Sequence, residues 1–143
     1  MSTLSKRRLK LWIRLLGVTR VTENHLRGYL RREHGTTLPR FDVMAALYRR
    51  REGVSMSELS RLLLVSNGNA TAVVERLEAE GLAERSPEPG DRRTVIARLT
   101  GAGVTRFEAL ADGHEAQVND LLGGLDSDDL DRLSALLKKA RAT

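Results

Sequence analysis

Two adjacent arginines, Arg92 and Arg93, follow the turn-forming residues of the segment SPEPGDRRTVIARLT at positions 86–100. A guanidinium group binds a phosphate or a carboxylate through two parallel hydrogen bonds, and the neighbouring carboxylate of Asp91 can hold it in place. The prolines and the glycine restrict the turn, so less conformational entropy is lost when the arginines dock on a polyanion. The alternative is a solvated loop in which Asp91 and Arg93 pair only with each other.

A second set of polar side chains lies just before this turn, in the segment SNGNATAVVERLEAEG at positions 66–81. An asparagine amide can both donate to and accept from an adenine, and a serine or threonine hydroxyl can reach a base or a phosphate. Ser66 and Asn69 have an alternative role as caps at the start of a helix. The candidate contacts to nucleic acid in this segment are Ser66, Asn67, Asn69, Thr71 and Arg76.

The same segment is net acidic and has Ala72 directly after Thr71, so it offers few cations to a polyanion. Neutralisation of phosphates supplies most of the non-specific affinity of DNA-binding proteins. The chain as a whole has a net charge of +5 and a pI near 10.2, which favours a polyanionic partner. The cations near the segment, besides the pair at 92–93, are Arg49, Arg50, Arg51, Arg61 and Arg85.

No set of side chains has the spacing of a catalytic or metal site. The three histidines, His25, His34 and His114, form no HExxH-type pattern, and there is no glycine-rich loop of the kind that cradles phosphates. The chain has no cysteine, which excludes disulfides, cysteine-rich zinc sites and thiol redox switches. We therefore expect no enzymatic activity, no metal and no cofactor.

The N-terminal segment from about residue 4 to residue 33 has the apolar spacing of an amphipathic helix that ends at Gly35. Its apolar residues fill two faces rather than one. A domain of this size can hardly bury both faces, so we expect a subunit interface, with an ordinary central core helix as the alternative. The two faces comprise Leu9, Trp12, Ile13 and Leu16 on one side and Leu11, Leu15 and Val18 on the other.

Two short helices follow a second helix, which Pro39 opens. Ser55 and Glu58 form a capping-box pair at the start of the first short helix, and Gly81 ends the second. Only about three residues separate the two, which predicts a helix-turn-helix. The inward-facing residues are predicted to be Leu59, Leu62 and Leu63 in the first and Ala70, Val73, Val74 and Leu77 in the second.

Alternating residues on both sides of the turn at 86–91 predict a β-hairpin with a long loop. Thr100 then caps a helix whose apolar stripe includes His114, expected to be a buried, hydrogen-bonded histidine, and Ser127 starts a last helix. A helix-turn-helix followed by a hairpin is a winged helix, so we expect one mainly α domain of 143 residues with a small β-hairpin. No apolar run has the length of a membrane span or signal peptide, which favours a cytoplasmic protein with no membrane partner.

The segment at 59–100 resembles the core of the MarR family of bacterial winged-helix transcription regulators. The resemblance implies a winged helix-turn-helix at 39–100 flanked by dimerisation helices at 4–34 and 101–143. It further implies a homodimer that binds a pseudo-palindromic site on double-stranded DNA, usually as a repressor released by a small aromatic or phenolic ligand. Ala72 departs from the family, since many members have an arginine there. The matching pieces are Arg76-Leu77-Glu78, Gly81-Leu82, Glu84-Arg85, Asp91-Arg92-Arg93 and Leu99-Thr100.

A ligand site is suggested by Arg20, which continues an apolar stripe of the first helix and therefore requires an anion. The simpler partner is Glu23, in an ion-pair ladder that continues to Arg27. The alternative is the carboxylate of an aromatic effector between the dimerisation helices and the DNA-binding segment. The segments LPRFDV and VSNGN are similar to those of family members tied to aromatic-acid or aryl-CoA catabolism. The residues expected around such an effector are Trp12, Arg14, Arg20, His25, Tyr29, Arg40 and Tyr48.

Two alternatives without a ligand remain at this point. A winged helix can also coat DNA without sequence preference, or it can serve only as a protein-interaction module.

Overall fold

The computed structural model describes residues 2–63 and 67–141, which form six helices and a three-stranded antiparallel sheet. The predicted mainly α architecture with a β-hairpin is confirmed. No helix in this part of the chain is long and apolar enough to cross a membrane. The elements are α1 Thr3–His34, α2 Leu38–Arg49, β1 Val54–Ser55, α3 Met56–Leu63, α4 Asn67–Ala79, β2 Ala83–Glu88, β3 Asp91–Leu99, α5 Gly101–Leu121 and α6 Ser127–Arg141.

Local signals set the boundary between α1 and α2. Gly35 has a φ of 60° and ends α1 in the left-handed conformation, in which glycine carries no steric penalty. Thr37 then caps α2, because its Oγ1 accepts the backbone N–H of Arg40 at 3.3 Å.

The buried face of α3 is rotated from the predicted one. The N–H of Glu58 donates to Ser55 Oγ at 3.1 Å, as in a capping box, but the Glu58 carboxylate pairs with Arg50. Leu59 and Ser60 are both buried, so the inward face is centred between them. Leu62 lies well off that direction and is 48% exposed, so its prediction as a core residue is wrong.

The sheet has the order β1-β3-β2, with β3 in the centre. The hairpin loop is short, not long as predicted, because Glu88 pairs with Asp91 and only two residues form the turn. Pro87 is tolerated inside β2 because that strand is at the edge of the sheet, and a bulge between Pro87 and Glu88 adjusts the register. Gly90, with a φ of 85°, completes the turn.

Hydrogen bonds from Thr100 join the end of the hairpin to the residues between α4 and β2. The hydroxyl of Thr100 donates to the carbonyl of Gly81 at 2.7 Å, and the N–H of Thr100 donates to the carbonyl of Leu82 at 3.1 Å. Thr100 also caps α5, as predicted, by accepting the N–H of Gly103 at 3.1 Å. A Cβ at position 103 would lie 1.9 Å from the Leu82 oxygen, so only glycine allows α5 to start there.

An aromatic cluster joins α2 to α5. The ring of Phe41 stacks on His114, with 4.0 Å between centroids, and lies 5.4 Å from Phe107, which also contacts Tyr48. His114 is half-buried, and this burial lowers its pKa from the ordinary value. The stacked His114 ring acts as a packing group between the two helices.

Helix α1 runs antiparallel to α5 and contacts it near its own C-terminal end. His25 Nε2 lies 2.6 Å from Gln117 Oε1, and nine residues later the carbonyl of His34 accepts a hydrogen bond from Arg106 at 2.6 Å. The N-terminal half of α1 is exposed in the single chain, as are the side chains of α6, which has no buried residue. The buried residues of α1 are Leu26 and Leu30.

Candidate nucleic-acid interface

Helix α4 presents its first turn to solvent beside the hairpin, which we call the wing (83–99). The backbone of α4 begins at Asn67, whose side chain is not described, and Ser66 lies outside the described residues. Asn69 is exposed and Thr71 is half-buried. The opposite face of the helix is fixed in the core by Ala70, Val74 and Leu77, as predicted.

A cleft of about 400 Å³ separates the wing from the start of α3 and the first turns of α4. Two of the predicted residues, Thr71 and Arg93, meet in it. Ser57 and Thr94 also line it, and sequence reasoning missed both because a hydroxyl residue carries no signal of its own before the elements are assembled. Hydroxyl groups beside a guanidinium suit a phosphate of a DNA backbone. The lining residues are Ser55, Met56, Ser57, Thr71, Arg85, Arg93, Thr94 and Val95.

Asp91 organises the backbone of the wing tip rather than a guanidinium group. Its carboxylate accepts the N–H of Arg93 at 3.0 Å and the hydroxyl of Thr94 at 2.8 Å. The hydrogen bond from Thr94, followed by that from the Arg93 N–H, holds the pKa of Asp91 below its ordinary value. The predicted contact between Asp91 and an arginine side chain is therefore wrong, because Thr94 and the backbone occupy its oxygens.

The guanidinium groups of Arg92 and Arg93 are exposed, and no acid of the described residues lies within 4 Å of either. The alternative of a loop whose Asp91 and Arg93 pair with each other is thus excluded for their side chains. Arg61, at the end of α3, is likewise exposed and has no acidic partner in this part of the chain. These three arginines keep their full charge for a ligand.

The acids of α4 are compensated by arginines within the same chain. Arg85 on β2 donates to Glu78 at 2.7 Å and lies 3.8 Å from Glu75. Arg76 lies 3.0 Å from Glu80 on the next turn, and Arg40 of α2 lies 3.3 Å from the same carboxylate. The acidic charge that the sequence assigns to this helix is therefore largely cancelled, and Arg85 and Arg76 are not free cations.

Arg49 ends α2, and Arg50 and Arg51 follow it, but the three side chains have different contacts. Arg50 pairs with Glu58, and Arg51 lies over the ring of Tyr48 at 5.4 Å from its centroid. Arg49 is exposed. All three are exposed, but Arg50 and Arg51 already have a partner within the chain.

The seven residues predicted around an effector do not surround a common cavity in one protomer. Trp12, Arg14 and Arg20 are exposed on the N-terminal part of α1, and within the described residues no acid lies close to Arg20, although Glu23 and Arg27 do pair at 3.5 Å. The other four contact different neighbours. His25 contacts Gln117 and Tyr29 contacts His34, while Tyr48 contacts Glu108 and Arg40 contacts Glu80.

A cavity of about 420 Å³ lies instead between α1, α2 and α4. Four arginines line it, at positions 27, 31, 40 and 76, together with apolar side chains such as Leu38 and Val73. A second space of about 560 Å³ adjoins it and includes Asp42 at its mouth. Asp42 is exposed, but partial desolvation by the surrounding protein raises its pKa to about 6. The carboxylate of Glu23 adds to this shift, and Arg27 opposes it.

Comparison with known proteins gives a consistent result. A family model described as the MarR family matches residues 34–94. The chain is 38% identical over 120 residues to the uncharacterized HTH-type transcriptional regulator YkoM of Bacillus subtilis, with 84% of this chain and 76% of that relative covered. It is 25% identical over 136 residues to the HTH-type transcriptional regulator MhqR of Bacillus subtilis, with 95% and 92% covered. A mutant MarR protein of Escherichia coli complexed with operator DNA has a similar fold, with a TM-score of 0.82, 27% identity and coverage of 97% and 99%.

Proposed function

The chain belongs to the MarR family of winged-helix DNA-binding transcription regulators, which are not enzymes, and we propose that it is a homodimeric repressor of a pseudo-palindromic operator, released by a small aromatic ligand. One observation carries the DNA-binding part of this proposal: Arg92 and Arg93 are exposed, their guanidinium groups have no acidic partner among the described residues, and they lie beside a cleft that also contains Thr71 of α4. Since chromosomal promoters are its targets, we place its activity in the cytoplasm of a bacterium.

In this proposal α4 enters the major groove and the wing follows the adjacent backbone. The first turns of α4 read base edges through Ser66, Asn67, Asn69 and Thr71. One wing arginine enters the minor groove, where the negative potential of a narrow groove attracts it, and the other neutralises a phosphate. Asp91 acts indirectly by fixing the backbone from which both project. Arg76 is reassigned to the effector cavity, because its side chain pairs with Glu80 and lines that cavity.

The dimer would form through the helices outside the winged helix, at 4–34 and 101–143. Apolar side chains on the N-terminal half of α1 and on α6, such as Trp12, Leu133 and Leu136, are solvent-exposed in the single chain, and most helical stability in proteins comes from packing of an apolar face. Two copies related by a twofold axis would place two α4 helices on half-sites about one helical turn apart. A dimer on a promoter blocks access of the polymerase, which is the basis of the repressor assignment.

The effector would occupy the cavity between α1, α2 and α4. Three of its arginines already pair with an acid, whereas Arg31 has no acid within 4 Å among the described residues and suits a carboxylate; the apolar wall suits an aromatic ring, so an aromatic acid, a phenol or an aryl-CoA thioester is the expected class. The cavity contains side chains of both α1 and α4, so a ligand that changes their spacing would move α4 relative to the dimer axis. Of the residues expected from the sequence, Arg40 belongs to this site.

Footprinting on the DNA that flanks the gene for this protein tests the proposal. We expect protection of two half-sites related by symmetry, with an affinity that falls as salt rises. An aromatic acid that raises the unfolding temperature should then release the same fragment. Uniform protection without sequence preference would instead support a DNA-coating protein, and no protection at low salt would support a protein-interaction module.

A further inference from the structure

The cavity between α1, α2 and α4 and the space that adjoins it are continuous, and we call the combined space the trough. Both parts are lined by Leu38 and Pro39 of α2 and by Ala72 and Val73 of α4, which form a shared apolar wall. Arg27 of α1 also lines both parts. One ligand can therefore extend from the first part into the second.

The two ends of the trough have opposite charge. Arg31, Arg40 and Arg76 line the end in the first part, whereas Glu23 and Asp42 line the end in the second. Glu23 and Arg31 are eight residues apart on α1, which separates their Cα atoms by about 12 Å. The trough thus runs from a cationic end, along an apolar wall, to an anionic end.

The carboxylate of Asp42 has no partner in the described part of the chain. No cation of these residues lies within 4 Å of it, and it accepts no hydrogen bond from them. Two arginines that share a space with it are already paired, Arg27 with Glu23 at 3.5 Å and Arg50 with Glu58. The pKa of Asp42, raised to about 6, is that of an anion for which the surrounding protein supplies too little positive charge.

Arg31 is the corresponding group at the cationic end. It is exposed and has no acid within 4 Å among the described residues, whereas Arg40 and Arg76 share the carboxylate of Glu80 at 3.3 and 3.0 Å. Each end of the trough therefore has one charged side chain whose partner a ligand can supply. Arg31 suits an anion and Asp42 suits a cation.

We propose that the effector is an aromatic zwitterion, whose carboxylate binds Arg31 and whose protonated amine lies between Asp42 and Glu23. This inference rests on the proposed effector site and narrows the class of its ligand. The ring would lie along the wall that contains Leu38 and Val73, where burial of apolar area favours binding. The two charges must be at opposite ends of the ring, which excludes ordinary α-amino acids, because these carry both charges on one carbon.

The anionic end also reaches the part of α4 that is proposed to read bases. Asn69 lines this end, together with Leu63 at the end of α3. A protonated amine at Asp42 would therefore lie beside the first turn of α4, and the carboxylate would lie near Arg76, two turns further along the same helix. A ligand that contacts α4 at both places can favour one position of this helix over another, and so change the affinity for the operator.

Three ligands of similar size test the two ends of the trough. Para-(aminoethyl)benzoate, with its amine on the terminal carbon, carries both charges. Para-propylbenzoate has a methyl group in place of the ammonium group, and para-methylphenethylamine has a methyl group in place of the carboxylate. We expect the zwitterion to bind the full chain roughly 10-fold more tightly than either of the others, because it forms charge-assisted hydrogen bonds at both ends. Isothermal titration calorimetry at neutral pH measures the three dissociation constants.

Substitutions assign the preference to the two ends. Asp42→Asn should abolish the preference for the zwitterion over para-propylbenzoate, while Asp120→Asn, an exposed position of α5 outside the trough, is the matched control and should retain it. Arg31→Met should weaken binding of both benzoates by roughly 10-fold and leave para-methylphenethylamine unaffected. Circular dichroism verifies that each variant keeps the fold.

The carboxyl chemical shift of Asp42 gives a second readout in the wild type, without any substitution. A bound ammonium group favours the ionised carboxylate, so the zwitterion should lower the pKa of Asp42 below about 6, whereas para-propylbenzoate should not.

The outcomes separate this inference from the proposal on which it rests. Equal affinity of the wild type for the zwitterion and para-propylbenzoate, or a preference that persists in Asp42→Asn, would overturn the inference and leave an effector with a carboxylate alone. Binding of none of the three ligands would overturn the inference together with the proposed effector site.

Discussion

Helix α4 and the wing lie side by side, yet their charged side chains are used in opposite ways. The two acids of α4, Glu75 and Glu78, and Glu80 just after it lie 2.7 to 3.8 Å from arginines, while the guanidinium groups of Arg92 and Arg93 have no acid within 4 Å among the described residues. A paired guanidinium has already used its charge and donors, and an unpaired one has not. This difference supports our proposal that α4 supplies shape and base contacts, whereas the wing supplies charge.

The largest expected effect on DNA binding comes from removing the charge of the wing. The double substitution Arg92→Ala and Arg93→Ala should weaken operator binding by about 100-fold or more and lower the salt dependence by roughly two phosphate equivalents. Titration of labelled operator at several salt concentrations measures both. Unchanged affinity with an intact dimer would mean that the wing does not contact DNA.

A smaller effect, on stability rather than binding, is expected at Arg85. Replacing it with methionine keeps the aliphatic stem but leaves Glu78 without its partner at 2.7 Å, which should lower the free energy of unfolding by about 1 kcal/mol. Urea denaturation checks this, with Arg61→Met as the matched control, because Arg61 is exposed and has no acidic partner in the described part of the chain. An equal loss in both variants would show that the pair with Glu78 contributes nothing.

Thr71→Ala should alter sequence preference more than overall affinity. Its hydroxyl faces the cleft beside the wing, and loss of a base contact costs about 1 kcal/mol of discrimination. Binding to the operator and to random DNA of equal length is compared. An equal loss on both would assign the hydroxyl to a phosphate.

Arg76→Ala should change operator affinity by less than about 0.5 kcal/mol, because its side chain already pairs with Glu80 and is exposed. The same variant should weaken binding of an aromatic acid, because Arg76 lines the cavity between α1, α2 and α4. Fluorescence anisotropy of the operator and calorimetry with the acid measure the two effects. A large loss of operator affinity would return this residue to the DNA interface.

The smallest effect is the pH response of Asp91. Its folded-state pKa lies below the ordinary 3.8, so its hydrogen bonds contribute fully to the free energy of unfolding at neutral pH. This contribution is lost only as the pH falls through the lowered pKa. Carboxyl chemical shifts should therefore titrate below 3.8 in the wild type and move back up in Thr94→Val. A wild-type midpoint above 3.8 would contradict the hydrogen bonds drawn for the wing tip.

The elements of the fold could be read from the sequence because their signals are local. Gly35 and Thr100 act through the backbone within a few residues, and both end or start a helix where expected. The length of the wing turn could not be read, because it depends on the bulge at Pro87 and on register across two strands. The strand β1 has two residues, too few for an alternating pattern to be recognised.

The sequence predicts where charged residues lie in the fold better than it predicts which side chains they pair with. Asp91 lies beside two arginines in sequence, yet its oxygens are taken by Thr94 and a backbone N–H. The sequence predicts Arg85 as an available cation, since nothing local shows that β2 places it against Glu75 and Glu78. Ion pairs between elements depend on the assembled fold, so composition can identify the charges of a site but not which of them remain available.

The exposed ring of Trp12 has a practical consequence, because it is the only tryptophan of the chain. In the single chain it is 55% exposed, and it lies on the half of α1 that is remote from α4 and the wing. Indole emission shifts to shorter wavelength when the ring leaves water, so the intrinsic fluorescence of the unlabelled protein should report assembly. Dilution would then move the spectrum to the red, while addition of DNA to a preformed dimer would leave it in place.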